Sequence, residues 1–508
     1  MNLLSAIRRR TIAGLGAVIA AVGFASIGGP AMAQDRPNHV VVGMALEPPH
    51  LDPTAGAAAA IDEVTYANIF EGLTRIDQTG TVQPGLAERW EVAPDGLTYT
   101  FYLREGVTFH DGTAFDSADV VFALDRARGP DSVNAQKGYF DPITSVTALA
   151  DHVVEIQLSA PSGLFLFHLG QGDAAMVAPE TADTNRTSPV GTGPFRFVDW
   201  VEGNRVEIER YADYWGGPDA VALDGAAFRF LSDPSAQIAA MLAGDIHAFP
   251  NIGAPESLPI FEQVGDLQVV IGTTEGETIL AMNNRRPPFD DPRVRQAIAV
   301  AVDRQEIIDG AMFGYGTPIG SHFAPHHPAY VDLTQITDHD PEEARRLLAE
   351  AGYADGFAVD LALPPPTYAR RGGEIIQAQL RRVGVDVSLV PMEWPQWLEQ
   401  VFQEQAYDLS IVSHTEPLDI GIYARGADDY YFGYDSIDFS ALIDQLNETV
   451  DQGDRNMILA DAQLWLANDV PVAFLFQLPK LGVFADGLSG FWASSPIQAN
   501  DLTAVRWD

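Results

Sequence analysis

The side chains best suited to chemistry in this chain are carboxylates, imidazoles and indoles, and they gather in its second half. Ser413–Arg425 reads SHTEPLDIGIYAR and brings His414, Glu416 and Asp419 close together in sequence. A buried carboxylate facing an ammonium group forms a charge-assisted hydrogen bond and fixes how a bound molecule lies. The same acids also suit a surface loop tied down by its own side chains. Trp394 and Trp397, in the string EWPQW, can stack on an apolar group, a sugar ring or a cation, or simply fill a core. Arg370 and Arg371 carry the planar fork that grips a carboxylate, or they open a solvated helix face. His322, His326 and His327 supply enough imidazole for nickel or zinc, but Pro325 and Pro328 mark an irregular loop. Their spacing fits no defined ligand pattern, so no metal is assigned.

Enzymatic signatures are weak. The nearest string to a Gly-x-Ser-x-Gly elbow, GLSGF at 487–491, lacks the pattern, and no His-Glu-x-x-His helix occurs. Val190–Phe195, VGTGPF, has two of the glycines of a dinucleotide loop, but Pro194 and Arg196 spoil it. A glycosidase carboxylate pair is neither marked nor excluded among 70 acids. A secreted hydrolase of peptides or glycans, or a peptide chaperone, therefore stands as the alternative to a binding protein. No cofactor is called for.

Composition narrows the partners. The chain has no cysteine, which removes disulfides, thiolate nucleophiles and an acylated membrane tether. Its formal charge of −40, with Lys137 and Lys480 as the two lysines, excludes nucleic acid and anionic membrane as partners. Arg8–Arg10, the apolar stretch 12–27 and Ala31-Met32-Ala33 form a secretory signal cleaved after Ala33. Export without an anchor points to the periplasm of a Gram-negative cell. The acidity reads as a solvated surface suited to saline, and self-repulsion of this size predicts stability that improves with salt.

The elements that must position these groups are mixed α and β. Asp291 caps a helix that opens on Pro292 and carries Val294, Ala297, Ile298 and Ala301 as an apolar stripe. Residues 88–103 read as a hairpin turning at Pro94-Asp95-Gly96, and Asp116 caps a further helix. Asp340-Pro-Glu-Glu343 opens another, and Pro364–Pro366 precede a helix to about Val383. At 508 residues, more than one core is required.

The wording of several segments closely resembles family 5 of the bacterial extracellular solute-binding proteins. Asn283–Arg304, NNRRPPFDDPRVRQAIAVAVDR, carries the resemblance most strongly. Glu47–Pro53, Asn68–Leu73, Pro84–Trp90, Asp95–Phe101, Phe109–Gly112, Val190–Phe195, Tyr214-Trp215 and Asp340–Gly356 extend it, in the family's order. The resemblance implies a two-lobed α/β periplasmic-binding-protein fold (type II, with an extra inserted domain) and a ligand cleft between lobes. The division expected is 1–33 signal, 34–76 first lobe, 77–189 inserted domain, 190–285 first lobe, 286–471 second lobe and 472–508 first lobe, with the crossover at Met282–Asn284. It implies a monomeric receptor that closes on a small solute and hands it to the permease and ATPase subunits of an ABC importer. Short peptides or amino-acid-derived compounds lead, ahead of oligosaccharides and nickel chelates. On the first lobe it implies that Met44 and Glu47 border the solute. On the second, peptide-binding members place an acid in the loop matching His414–Asp419 and an aromatic wall near Trp394 and Trp397. The aromatic that usually precedes that acid is His414 here. With Arg370 these make the expected ligand set.

Overall fold

A computed structural model describes residues 38–56 and 58–508; the signal segment with Arg8–Arg10 lies outside the described residues. One sheet of eleven strands runs through the fold. Its first half centres on strand His39–Met44, parallel to Gly225–Phe230 and continued by Arg205–Arg210 and Phe195–Val201. Its second half holds Phe357–Leu363, Val385–Pro391 and Leu409–His414, all parallel, as expected where helices cover both faces.

Two long strands join the halves. Leu267–Met282 enters the second half and Val472–Ala485 returns, paired antiparallel with each other. Residues 267–273 pair with 479–485 on the first-lobe side, and 277–281 pair with 472–477 on the second. The register breaks between Thr273 and Glu277, a few residues ahead of the Met282–Asn284 expected from sequence as the crossover. Asn283 and Asn284 instead tie the strand end to carbonyls of Gln405, Tyr407, Phe432 and Pro471.

A separate four-stranded antiparallel sheet, ordered 87–92, 98–103, 153–158, 143–150, lies between the first-lobe segments in sequence. Gly96 adopts φ +70° at its first hairpin turn, a conformation that favours glycine. Helix Ser117–Arg128 starts on a capping box in which Asp116 and Asp119 bond each other's main-chain amides. Val40, Phe101, Phe165 and Ile208 belong to one continuous core, so the insert and the first lobe pack as a single body.

In the second lobe, Asp291 accepts the amide of Arg293 at 2.9 Å, worth about 1 kcal/mol at such a position. The helix it starts, Pro292–Ala301, buries Val294, Ala297, Ile298 and Ala301 almost completely. With helices 304–312, 341–350 and 367–382 it covers one face of the sheet, and a cluster around Trp397, Tyr423, Tyr431 and Phe474 covers the other.

The C-terminal residues are stitched onto the beginning of the chain. Asn68 donates to Asn500 O at 2.9 Å and accepts from Leu502 N at 3.0 Å. Arg75 pairs with the buried Asp501, and Trp507 donates to His39 O at 3.2 Å.

Candidate solute-binding cleft

Strand Leu409–His414 ends at the edge of an open cavity of about 790 Å³. The loop that leaves it, Thr415–Asp419, forms part of the wall, and Leu418 is held there at φ +61°. Such strain in a bulky residue persists where the surroundings over-determine it, commonly at sites. Gln136, Tyr139, Leu164 and His168 of the inserted region form the opposite wall. Tyr139 and His168 stack with centroids 3.9 Å apart, and burial holds the His168 imidazole neutral, its pKa lowered to about 3.

Five of the residues expected from sequence line this cavity together: Trp394, Trp397, His414, Glu416 and Asp419. Trp394 is 39% exposed, free to meet a solute, and stands edge-on to Trp397. Trp397 is 3% exposed and donates its indole N–H to Ser410 Oγ at 2.9 Å, which makes it mostly core. His414 sits in an aromatic nest of Tyr430, Tyr431 and Phe432 and bonds the Tyr431 hydroxyl at 2.9 Å. Burial lowers its pKa, favouring the neutral ring.

The other three lie elsewhere. Met44 packs into the first-lobe core, and its carbonyl accepts from Leu231. The Glu47 carboxylate accepts from Trp200 Nε1 at 2.9 Å and Gly203 N at 2.8 Å, holding the strand edge. Arg370 donates to Pro364 O and Met392 O, clamping two strand ends, so its fork is already spent on main-chain carbonyls. None of the three lines the cavity.

Asp419 has partners that sequence reasoning missed. His322 Nε2 meets Asp419 Oδ1 at 2.8 Å, and His322 Nδ1 faces Glu277 Oε1 at 3.3 Å. His322 and Glu277 are 2% and 1% exposed. Burial, then the charge of Asp419, pushes the Glu277 carboxyl well above its usual range, favouring its protonated form. Nearby, His326 Nε2 lies 2.6 Å from Glu275 Oε1, and His327 stacks on Phe323 with its pKa lowered by burial to about 4. Glu277, His322 and Asp419 offer ligand atoms within 4.8 Å of one another, as do His414, Glu416 and Asp419. In the first group the imidazole turns opposite nitrogens to its two carboxylates. Only the Nε2–Asp419 side is hydrogen-bonded; His322 Nδ1 and Glu277 Oε1 are both sealed from solvent without a hydrogen bond among the described residues. One signal was available: Glu275 and Glu277 alternate on a strand, which places both on one face. Arg425, over the Tyr430 ring at 4.9 Å, supplies a cation to the same wall.

The cavity therefore combines an aromatic wall, carboxylates and an arginine between the inserted region and the second lobe, which suits a small polar solute with an apolar part. Among the described residues, no helix is long and apolar enough to cross a membrane.

Comparison with known proteins agrees. The family model "Bacterial extracellular solute-binding proteins, family 5 Middle" matches residues 81–419. The glutathione-binding protein GsiB of Salmonella paratyphi A is 32% identical over 385 residues, covering 74% of this chain and 73% of that protein. Heme-binding protein A of Haemophilus influenzae is 33% identical over 348 residues, 62% of each chain. The structure of HbpA2 from Haemophilus parasuis, 23% identical, superposes with a TM-score of 0.83 over 93% of this chain and all of that one. The chain belongs to the bacterial extracellular solute-binding proteins, family 5.

Proposed function

We propose that this solute-binding protein, of the kind that serves ABC importers, captures a short peptide or amino-acid-derived compound bearing an ammonium group. The observation that carries the reading is the convergence of Asp419, Glu416 and the aromatic wall of Trp394 and Tyr430 on one cavity between the inserted region and the second lobe. Asp419 receives the ammonium, since it is the carboxylate most firmly positioned, held by His322 from behind. Trp394 covers the apolar part of the solute, and Arg425 answers a carboxylate. Closure of the lobes over the solute presents a joint surface to a membrane permease. We place this action in the periplasm, after export and removal of the N-terminal signal. Capture and release need no bond to be made or broken, and no catalytic role is assigned.

The test is calorimetric titration of residues 34–508, freed of carried-over ligand, with dipeptides, tripeptides including glutathione, amino-acid derivatives and oligosaccharides. One peptide or amino-acid class binds saturably, and Asp419→Asn weakens it at least tenfold, the loss expected when a charge-assisted bond becomes neutral. Saturable binding of oligosaccharides alone, or steady hydrolysis of a peptide, refutes the reading.

A further inference from the structure

Beside the main cavity lies a smaller compartment of about 130 Å³, reached through shared wall residues Gln136, Tyr139, Thr415, Glu416 and Pro417. Three carboxylates line it: Asp62 from the first lobe, Asp173 from the inserted region and Glu416 from the second lobe. No lysine, arginine or histidine lines it among the described residues. We propose that Asp62 and Asp173, faced by Glu416, take a second cationic group of the solute, an ammonium or guanidinium. The inference rests on the reading of this cleft as the solute site, and it extends that reading to a solute with two cationic groups, such as a peptide with a basic side chain.

The contrast with the buried acids nearby carries the argument. Glu71 accepts from Thr192 Oγ1 at 2.8 Å, Trp215 Nε1 at 2.9 Å and Tyr214 OH at 3.0 Å. Asp52 is met by Thr54 and Arg126, and Asp501 by Arg75 and Thr503. These are structural carboxylates with their partners in place. Asp62 and Asp173 lack such partners. Asp173 is 9% exposed, and its carboxylate meets only its own main-chain N–H among the described residues. Asp62 keeps partial exposure, yet its Oδ1 is sealed from solvent without a hydrogen bond, and so is Gln171 Nε2 on the same wall. A buried acceptor without a donor is destabilising, and more so when charged, so a partner from outside is favoured.

The local backbone is built to bring the two acids together. A Cβ added at Gly172 would stand 2.0 Å from Asp62 Oδ1, so the glycine lets that carboxylate lie against the main chain just before Asp173. The next pair of groups around them, Tyr139 and Gln136, belongs to both compartments and can span the two ends of one solute. A guanidinium, with five donors in a plane, satisfies two carboxylates at once; an ammonium, with three, does so with less directional demand.

The experiment compares affinities of the full mature chain for Gly-Arg, Gly-Lys and the uncharged Gly-norleucine, together with agmatine and 1,4-diaminobutane. Basic peptides are expected to bind at least thirtyfold more tightly than Gly-norleucine. In the Asp62→Asn/Asp173→Asn variant that ratio collapses to within threefold, with circular dichroism confirming the fold. Glu416→Gln narrows it partly. Equal affinity for basic and neutral peptides, or a ratio unmoved by the double variant, overturns the compartment while leaving the peptide reading intact. Binding of agmatine or diaminobutane without any peptide, lost in the double variant, keeps the compartment and discards the peptide. No binding by any of these probes overturns both.

Discussion

Asp173 offers a measurement that separates the energetics of the acidic compartment from its ligand. Burial pushes its carboxyl from 3.8 up to about 7. Below pH 3.8 the folded and unfolded chains both hold the proton. As pH rises, the unfolded chain releases it first, while the folded chain keeps it until about 7. Stability therefore falls across this window and levels off above it, the reverse of a salt-bridged acid. A displacement of about three units at 1.36 kcal/mol each sets the loss at up to about 4 kcal/mol above pH 7. Asp173→Asn keeps the shape and removes the titration. It also relieves Asp62, whose carboxyl is raised by burial first and by the charge of Asp173 second. The ligand-free variant is then no more stable than the parent near pH 4 and up to about 4 kcal/mol more stable at pH 8. An unfolding entropy of about 2.1 cal/mol/K per residue over roughly 470 residues converts this to a Tm difference of up to about 4 °C. Calorimetric or fluorescence melts from pH 4 to 8 read it directly. A Tm difference that stays constant across that range, or a variant less stable at pH 8, refutes the reasoning.

Trp394→Ala is expected to weaken solute binding with little change in stability, because the ring is half in solvent; Trp397→Ala costs about 3–5 kcal/mol, as a buried aromatic does. Urea titration and calorimetry on the pair distinguish the two roles. Glu47→Gln leaves affinity within twofold of the parent, since that carboxylate serves Trp200 and Gly203, and a tenfold loss would return it to the site. His322→Ala destabilises by about 1–3 kcal/mol, because it removes the buried imidazole that holds Asp419 at 2.8 Å; unchanged stability in urea titrations contradicts that role. Raising salt from about 0.05 M to about 0.5 M increases Tm, as screening relieves self-repulsion; a Tm that falls refutes a destabilising net charge.

Local signals were readable wherever they are self-contained. Asp291-Pro292 and the stripe from Val294 to Ala301 define their helix without help from the rest of the chain, as do Asp116 and Pro94-Asp95-Gly96 for theirs. The loop from His414 to Asp419 stood out by composition, and it does line the cavity. What sequence hides is direction and distance. Arg370 looked available, yet its donors turn back to Pro364 and Met392. Glu47 ends a strand as expected, but a tryptophan 153 positions away claims it. His322 finds Asp419 and Glu277 only through the folded sheet, and Asp62 meets Asp173 only because Gly172 permits it. A register break within a continuous strand, such as that between Thr273 and Glu277, leaves no mark in the sequence.

The stitching of Asn68 to Asn500 and Leu502, of Arg75 to Asp501 and of His39 to Trp507 bears on the order in which the molecule is made. The second lobe is one unbroken stretch of chain, whereas the first draws on both extremities. A polypeptide emerging N-terminus first can finish the second lobe at about Gln477 while the first still waits for residues 479–485 and those beyond. During that interval the strand His39–Met44 lacks its indirect link, through Ala248-Phe249, to Val483 and Phe484. The first lobe thus carries the long-range, slow contacts, and residues 500–507, made long after the strands they meet, are the ones that lock it.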